Sequence, residues 1–314
     1  MSAPATLWAE RWVETIDGLK LFVADCDRAP PGRLPVLCLP GLTRGERDFS
    51  ALAEILAPER RVLTIVMRGR GKSDHDPNPQ NYNVITETGD ILHALDGLGV
   101  ARAVIVGTSR GGIQAMLIAQ MRRSLIAGTV LNDIGPRIEK RGLLRIVAGL
   151  ALSPKRFHSW EEAAEMLKRA QIAQFPRLTQ TEWLAYAHRL YVDAEGAPAP
   201  DYDWRLTNTV SAAADQDPPE LWTQFAQLAG SPLLAIRGAC SDLLSAETLL
   251  EMQARLPEMR ALTLADRGHA PFLDEPDAVA AIRALLEECD RCETTRPTPA
   301  PPPPSPTSMT PLPG

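Results

Sequence analysis

The sequence predicts an α/β fold, in which a mostly parallel central sheet is flanked by helices and a helical segment is inserted after the sixth strand. Short apolar runs typical of buried strands alternate with helix-like stretches over residues 34–132 and again over 232–288. This alternation is typical of parallel strands joined by crossover helices. Between the two regions, residues 136–229 show only an irregular helical pattern. We therefore expect one α/β core that is interrupted by an insertion.

The individual elements follow from the same pattern. The chain begins with a predicted hairpin whose turn is Asp17-Gly18, a pair that tolerates positive φ. Apolar runs then predict strands at 35–40, 62–66, 103–106, 126–132, 232–238 and 261–266. Helical periodicity predicts helices at 48–56, 83–98, 111–123, 246–256 and 276–288. The predicted division is a core over 1–135 and 231–292, a helical cap or lid over 136–230, and a disordered proline-rich tail over 293–314.

Charge and composition exclude several classes of function. The net charge of −6 at pH 7 gives no reason to expect nucleic acid or an acidic membrane as a partner. No apolar run approaches the roughly 20 residues that span a bilayer, and residues 1–18 lack a signal-peptide pattern, so we expect a cytoplasmic protein. Cys289 and Cys292 have CxxC spacing, but no second pair accompanies them. We expect no metal and no cofactor, and the sequence leaves the oligomeric state open.

The strongest chemical signal lies where the predicted strand at 103–106 meets the next helix. Here Gly107-Thr108-Ser109-Arg110-Gly111 matches G-x-S-x-G, a motif that carries weight only between a strand and a helix. Glycines are needed because a sharp turn that exposes the serine hydroxyl leaves little room for neighbouring side chains. The free N–H groups at the start of the helix favour negative charge there. The alternative is a tight turn without chemistry; we predict that Ser109 is a nucleophile.

A serine nucleophile needs a base, and the base needs an acid that orients it. Among the five histidines, His269 follows the last predicted strand, where an open α/β sheet places its chemistry. Two aspartates also follow strands, Asp242 after 232–238 and Asp133 after 126–132. Either satisfies the order Ser…Asp…His, and each has a structural alternative, as a helix N-cap or in a turn. We prefer Asp242 and keep Asp133 as the alternative acid.

Together these segments resemble the α/β-hydrolase superfamily, in its esterase, carbon–carbon hydrolase and non-haem haloperoxidase-like branch. The motifs are the elbow GTSRGG, the acid loop GACSDLLS and the histidine loop DRGHAPFLDEP, and the resemblance spans residues 10–290. It implies a Ser-His-Asp triad whose acid usually follows the penultimate core strand, which matches Asp242; some members carry it one strand earlier, which matches Asp133. It also implies an oxyanion hole, which we assign to the backbone N–H groups of Leu42 and Arg110. In that loop Pro40 replaces the usual histidine.

Candidate substrate-binding residues come from the insertion and from the oxyanion loop. The insertion holds four of the six tryptophans and three of the four tyrosines, a bias typical of a lid over an apolar pocket and also of ordinary helix packing. We predict that Trp183 and Tyr186 bind substrate together with Arg44 and Arg110. These arginines would favour a carboxylate-bearing substrate. The plainer alternative is that they face solvent or pair with nearby acids such as Asp48.

The predicted function is hydrolysis of a small carboxylic ester or lactone through an acyl-enzyme. The same triad serves thioesterases, perhydrolases and carbon–carbon bond hydrolases, and the sequence does not separate them. A ligand receptor without turnover is the alternative from another class. Epoxide hydrolases and haloalkane dehalogenases are disfavoured, because such enzymes need aspartate at position 109. A phosphate-binding loop at Gly71-Lys72-Ser73 is excluded because Val66 stands where it requires glycine.

Overall fold

An eight-stranded sheet forms the centre of the protein. The computed structural model describes residues 8–208 and 217–295, so most of the predicted tail lies outside the described residues. In chain order the strands are β1 (Ala9–Glu14), β2 (Lys20–Cys26), β3 (Val36–Leu39), β4 (Val62–Ile65), β5 (Ala103–Thr108), β6 (Ile126–Asn132), β7 (Tyr191–Ala194), β8 (Ala197–Pro200), β9 (Leu233–Gly238) and β10 (Arg260–Leu264). Strands β7 and β8 form a separate hairpin.

Strand order brings the ends of the central strands together. The order is β1-β2-β4-β3-β5-β6-β9-β10, with β1 and β2 antiparallel to their neighbours and the remaining pairs parallel. The mostly parallel sheet predicted from the sequence is confirmed. Thr108 at the end of β5 lies opposite Asn132 at the end of β6, and Asn132 lies opposite Ile236 of β9. The loops that follow these strands therefore meet at one edge of the sheet.

Helices cover both faces of the sheet. They are α1 (Ser50–Leu56), α2 (Val84–Gly97), α3 (Arg110–Met121), α4 (Lys140–Ala151), α5 (Trp160–Gln171), α6 (Gln180–Leu190), α7 (Trp222–Ala226), α8 (Ala246–Arg255) and α9 (Pro276–Thr294). Because side chains alternate along a strand, Ile105 of β5 joins one apolar core with Ile91 of α2, whereas Val104 joins the other with Ile282 of α9. Within the described chain, no helix is long and apolar enough to cross a bilayer.

Helix α9 extends past both the predicted end of the last helix, 288, and the predicted core boundary, 292. The extension has a packing reason, since Cys289 is buried against the sheet and a Cβ at Gly128 would lie 2.3 Å from its sulfur. Burial raises the pKa of the Cys289 thiol to about 12. Cys292, one helical turn further, is exposed. The CxxC spacing thus falls on a helix that packs on the core.

The insertion, residues 136–230, lies between β6 and β9 and contains α4 to α7 together with the β7–β8 hairpin. The hairpin was not predicted. Its strands are only four residues long, and its turn uses Glu195 and Gly196 at positive φ, 55° and 84°. Helix α6 begins with a capping box, in which Thr179 and Glu182 satisfy each other's backbone N–H groups. Part of the insertion packs around its own apolar cluster, which includes Phe157, Phe175 and Trp183.

Candidate active site

Ser109 sits in a strained turn between β5 and α3. Its backbone has φ 53° and ψ −115°, and such a conformation in a residue other than glycine costs roughly 1–3 kcal/mol. The flanking glycines allow the turn to be tight. A Cβ at Gly107 would lie 2.5 Å from the carbonyl oxygen of Gly111, and a Cβ at Gly111 would lie 2.0 Å from that of Leu39. Neither position accommodates a larger residue, which explains why the motif needs glycine on both sides.

Ser109, His269 and Asp133 form a continuous chain of hydrogen bonds. Nε2 of His269 lies 2.9 Å from the hydroxyl oxygen of Ser109. Nδ1 of the same ring lies 2.8 Å from Oδ2 of Asp133. The Asp133 side chain is fully buried, and the His269 side chain is 9% exposed. The arrangement has the geometry of a nucleophile, a base and an orienting acid.

The loop after β9 holds the carboxylate of Asp133. The backbone N–H of Gly238 donates to Oδ1 at 2.7 Å, and the Ser241 hydroxyl donates to Oδ2 at 2.5 Å. The backbone of Asp133 has a positive φ of 52°, directly after β6 ends. These two donors and the imidazole leave the carboxylate with little freedom to turn away from His269.

The structure contradicts our preference for Asp242 as the acid beside His269. Asp242 instead faces Arg145 of α4, whose Nε and Nη2 donate to its two oxygens at 2.6 and 2.8 Å. Burial raises the pKa of Asp242, but the hydrogen bond and the charge of Arg145 lower it by more. Helix α4 approaches this loop so closely that a Cβ at Gly142 would lie 2.5 Å from the Asp242 carbonyl oxygen. Asp242 therefore anchors the insertion to the core.

The loop that carries His269 is held from two sides. The backbone N–H of His269 donates to the side-chain oxygen of Gln174, a residue of the insertion, at 2.8 Å. Behind it, the amide of Asn132 donates to the carbonyl oxygen of Pro271 at 2.9 Å and to the hydroxyl of Thr108 at 3.0 Å. These contacts join the ends of β5 and β6 to the loop that carries His269, so one connected set of hydrogen bonds supports Ser109, Asp133 and His269.

A cavity of about 960 Å³ opens beside Ser109, between the sheet edge and the insertion. Ser109, His269 and the two residues assigned to the oxyanion hole, Leu42 and Arg110, all line it. Gly41 lets its loop come close to Ser109, since a Cβ there would lie 3.8 Å from Cβ of Ser109. The hydrogen-bonded Ser109 therefore lies at the wall of a chamber of the size that proteins use for small-molecule ligands.

Of the four predicted substrate-binding residues, three line the cavity. Arg44, Arg110 and Tyr186 are among its walls. Arg44 pairs with Asp48 at 3.2 Å and donates to the Tyr186 hydroxyl at 3.1 Å. The prediction for Trp183 is wrong: its side chain is fully buried in the apolar cluster of the insertion and is not part of the cavity wall.

Sequence reasoning missed Ser241, Gln174 and Glu87, the last of which accepts a hydrogen bond from Nε of Arg110 at 2.7 Å. Ser241 stands next to Asp242 in the acid loop, but only the folded structure shows that it serves Asp133. Gln174 comes from the irregular insertion. Glu87 had a usable signal in the sequence, because it lies four residues before Ile91 and so falls on the apolar face of the predicted helix. The structure shows that its side chain is fully buried. A buried acid on such a face requires partners of opposite charge.

Comparison with known proteins agrees with this architecture. Residues 36–282 match the model of the alpha/beta hydrolase family. The chain is 31% identical over 253 residues to a 3-hydroxybutyrate-oligomer hydrolase of Cupriavidus necator, covering 78% of this chain and 85% of that one. It is 25% identical to esterase YbfF of Escherichia coli over 81% and 93% of the two chains. A solved alpha/beta hydrolase from Novosphingobium aromaticivorans matches with a TM-score of 0.86 and 40% identity, covering 90% and 99%. The chain belongs to the alpha/beta hydrolase family.

Proposed function

We propose that the protein hydrolyses small carboxylic esters or lactones through an acyl-enzyme formed on Ser109. The observation that carries this proposal is the hydrogen-bonded chain from Ser109 through His269 to Asp133 at the wall of a large cavity. The names of the relatives support cleavage of an ester bond, since one is a hydrolase of 3-hydroxybutyrate oligomers and another is an esterase. The named relatives and the geometry of the site both support ester hydrolysis.

The proposed reaction follows from the positions of these groups. Nε2 of His269 accepts the proton of the Ser109 hydroxyl while its oxygen attacks the ester carbonyl carbon. The negative charge that develops on the carbonyl oxygen is stabilised by the backbone N–H groups of Leu42 and Arg110. His269 then donates the proton to the leaving alcohol, and the acyl group remains on Ser109. His269 then takes a proton from water, whose oxygen bonds to the acyl carbon. The bond between that carbon and the Ser109 oxygen breaks, His269 returns the proton to this oxygen, and the acid leaves. Asp133 stabilises the imidazolium that forms in both halves of the reaction.

The cavity is suited to an acyl chain of moderate length. Much of its wall is apolar and comes from the insertion, including Ile138, Leu143, Ile146, Leu150 and Met166. Such a wall gains free energy from each methylene group that it removes from water, about 0.8 kcal/mol when burial is complete. We therefore place the acyl chain under the insertion, which acts as a cap.

A series of p-nitrophenyl esters from acetate to decanoate tests the proposed function. We expect turnover whose kcat/KM rises above the value for acetate as the chain fills the apolar wall. The series yields the length at which the cavity is full. Folded protein that hydrolyses none of these esters over many hours would contradict the proposed function.

The charges around the cavity favour an anionic substrate. In the described structure its wall includes one carboxylate, Asp48, and five arginines: Arg44, Arg110, Arg145, Arg189 and Arg205. The acids that pair with the last four are Glu87, Asp242, Asp274 and Asp203, and none of them belongs to the wall. In each of these four pairs the arginine belongs to the cavity wall and the acid does not. We propose that esters bearing a free carboxylate are preferred.

Three esters of matched length test the charge preference. The set is p-nitrophenyl hydrogen adipate, its neutral methyl ester, and a p-nitrophenyl ester ending in trimethylammonium. We expect kcat/KM to be at least about tenfold higher for the anion than for the neutral ester, the range of one charged hydrogen bond, and lowest for the cation. Spontaneous hydrolysis is subtracted for each. Equal rates for the three esters would refute the charge preference while leaving ester hydrolysis intact.

A further inference from the structure

A buried carboxylate lies beneath the oxyanion loops. Glu87 of α2 is fully buried, and both of its oxygens accept charge-assisted hydrogen bonds. Oε1 accepts from Nη1 of Arg70 at 2.6 Å, and Oε2 accepts from Nε of Arg110 at 2.7 Å. The amide of Gln114 on α3 also donates to Oε2, at 3.1 Å. One side chain thus holds two arginines at a fixed separation.

Each of these arginines is tied to a residue assigned to the oxyanion hole. Arg110 itself supplies one of the two backbone N–H groups, and its Nη2 also donates to the Tyr82 carbonyl oxygen at 3.2 Å. Arg70 donates through Nε to the carbonyl oxygen of Leu42 at 2.7 Å, and Leu42 supplies the other N–H group. Glu87 therefore links the two loops whose N–H groups face the reacting carbonyl, although it does not reach the cavity wall.

The cluster is built to hold its geometry. Burial raises the pKa of Glu87, but the charges and hydrogen bonds of Arg110 and Arg70 lower it by more, so the carboxylate is ionised. Arg70 is 1% exposed and Gln114 is fully buried, so water has little access to compete for these hydrogen bonds. Charge-assisted bonds of this kind are shorter, stronger and more directional than neutral ones. The Leu42 loop and the start of α3 are consequently held against each other.

We propose that Glu87 is a positioning residue for the oxyanion hole, setting the separation of the Leu42 and Arg110 N–H groups through Arg70 and Arg110. This inference rests on the proposed function. Loss of one oxyanion donor typically lowers kcat by about 10²–10³-fold, and a misplacement of about 1 Å can lower it by about 10²-fold. A residue that acts through this geometry should therefore affect the transition state more than the ground state.

The test compares Glu87→Gln with Asp90→Asn, a control on the same helix. Asp90 is 7% exposed and binds Arg68 through both oxygens, each at 2.7 Å. Arg68 is held by two further carboxylates, Asp17 and Asp76. Both variants remove one buried negative charge from α2, but only Glu87 contacts the arginines of the oxyanion loops. Active-site titration with a fluorophosphonate corrects each preparation for unfolded protein.

We expect Glu87→Gln to lower kcat on p-nitrophenyl esters by about tenfold to a hundredfold with little change in KM, the signature of an interaction made in the transition state. Affinity for a trifluoromethyl ketone, which forms a tetrahedral alkoxide on the serine, should fall by a similar factor. Asp90→Asn should change both values by less than about threefold, because Asp90 contacts neither arginine of the oxyanion loops and distant sites act nearly independently. If Glu87→Gln does not fold, Arg70→Lys replaces it, because the single nitrogen of lysine does not reproduce the fork by which Nε and Nη1 of Arg70 contact Leu42 and Glu87.

Two results would overturn the inference. If Glu87→Gln changes kcat and ketone affinity no more than Asp90→Asn does, Glu87 only supports the fold. If wild-type protein hydrolyses no ester, the proposed function fails, and the inference fails with it. A loss in kcat confined to the Glu87 and Arg70 variants, with wild-type turnover present, supports the inference.

Discussion

Ser109→Ala and His269→Ala are each expected to lower kcat for ester hydrolysis by about 10⁶-fold, the size of effect seen when either member of such a unit is removed. In the proposed mechanism the hydroxyl oxygen of Ser109 forms the acyl bond, and Nε2 of His269, 2.9 Å away, accepts its proton. The double variant should be no slower than either single one, because the two residues act in the same step. Steady-state rates with a good p-nitrophenyl ester measure this.

Thermal unfolding provides the control for these variants. Neither substitution removes apolar core, and the turn at position 109 is equally strained with alanine, so melting temperatures should stay within a few degrees of wild type. A Ser109→Ala protein that keeps even one-hundredth of the wild-type rate after repeated purification would contradict a nucleophilic role for Ser109.

Asp133→Asn is expected to lower kcat by about 10⁴-fold. Gly238 and Ser241 fix the two side-chain oxygens of Asp133, so an asparagine there cannot both keep these bonds and accept from Nδ1 of His269. The imidazole would then adopt the wrong tautomer or turn away from Ser109. Asp242→Asn should cost much less, because Asp242 holds Arg145 of the insertion rather than the imidazole. Parallel kcat measurements on the two variants separate the roles.

Arg145→Gln is the matched control for Asp242→Asn. If Asp242 serves only to anchor the insertion, removing either partner breaks the same ion pair, and the two variants should alter KM and kcat for a neutral p-nitrophenyl ester alike. A crippled Asp242→Asn beside an active Asp133→Asn would instead make Asp242 the working acid. That outcome would require the loop after β9 to rearrange around His269.

Local motifs were enough to single out Ser109 and His269, which the structure places within hydrogen-bond distance of each other. Ser109 was predictable because its sharp turn requires glycine at the neighbouring positions, and glycine is found there. His269 was predictable because it follows the last strand of a parallel sheet. The sheet itself was predictable, since continuous apolar runs are typical of strands buried on both faces. These features depend on short stretches of chain and on general rules of α/β topology.

The acid was not predictable in the same way. Asp133 and Asp242 follow neighbouring strands, β6 and β9, and both loops reach the same edge of the sheet. The choice depends on Arg145, which comes from a distant helix and turns Asp242 away from the imidazole. The error at Trp183 has a similar origin. Trp183 and Tyr186 lie three residues apart on α6 and so share nearly the same face of the helix. A small difference in direction around the helix axis decides which side chain lines the cavity and which packs in the core of the insertion.

The most direct test of the proposed catalytic chain is the rate at which a fluorophosphonate labels the protein, followed by mass spectrometry. The account predicts one adduct per chain, on the peptide that contains Ser109, with labelling slowed strongly in Asp133→Asn and only weakly in Asp242→Asn. No adduct, an adduct on another residue, or labelling that depends on Asp242 but not on Asp133 would contradict it.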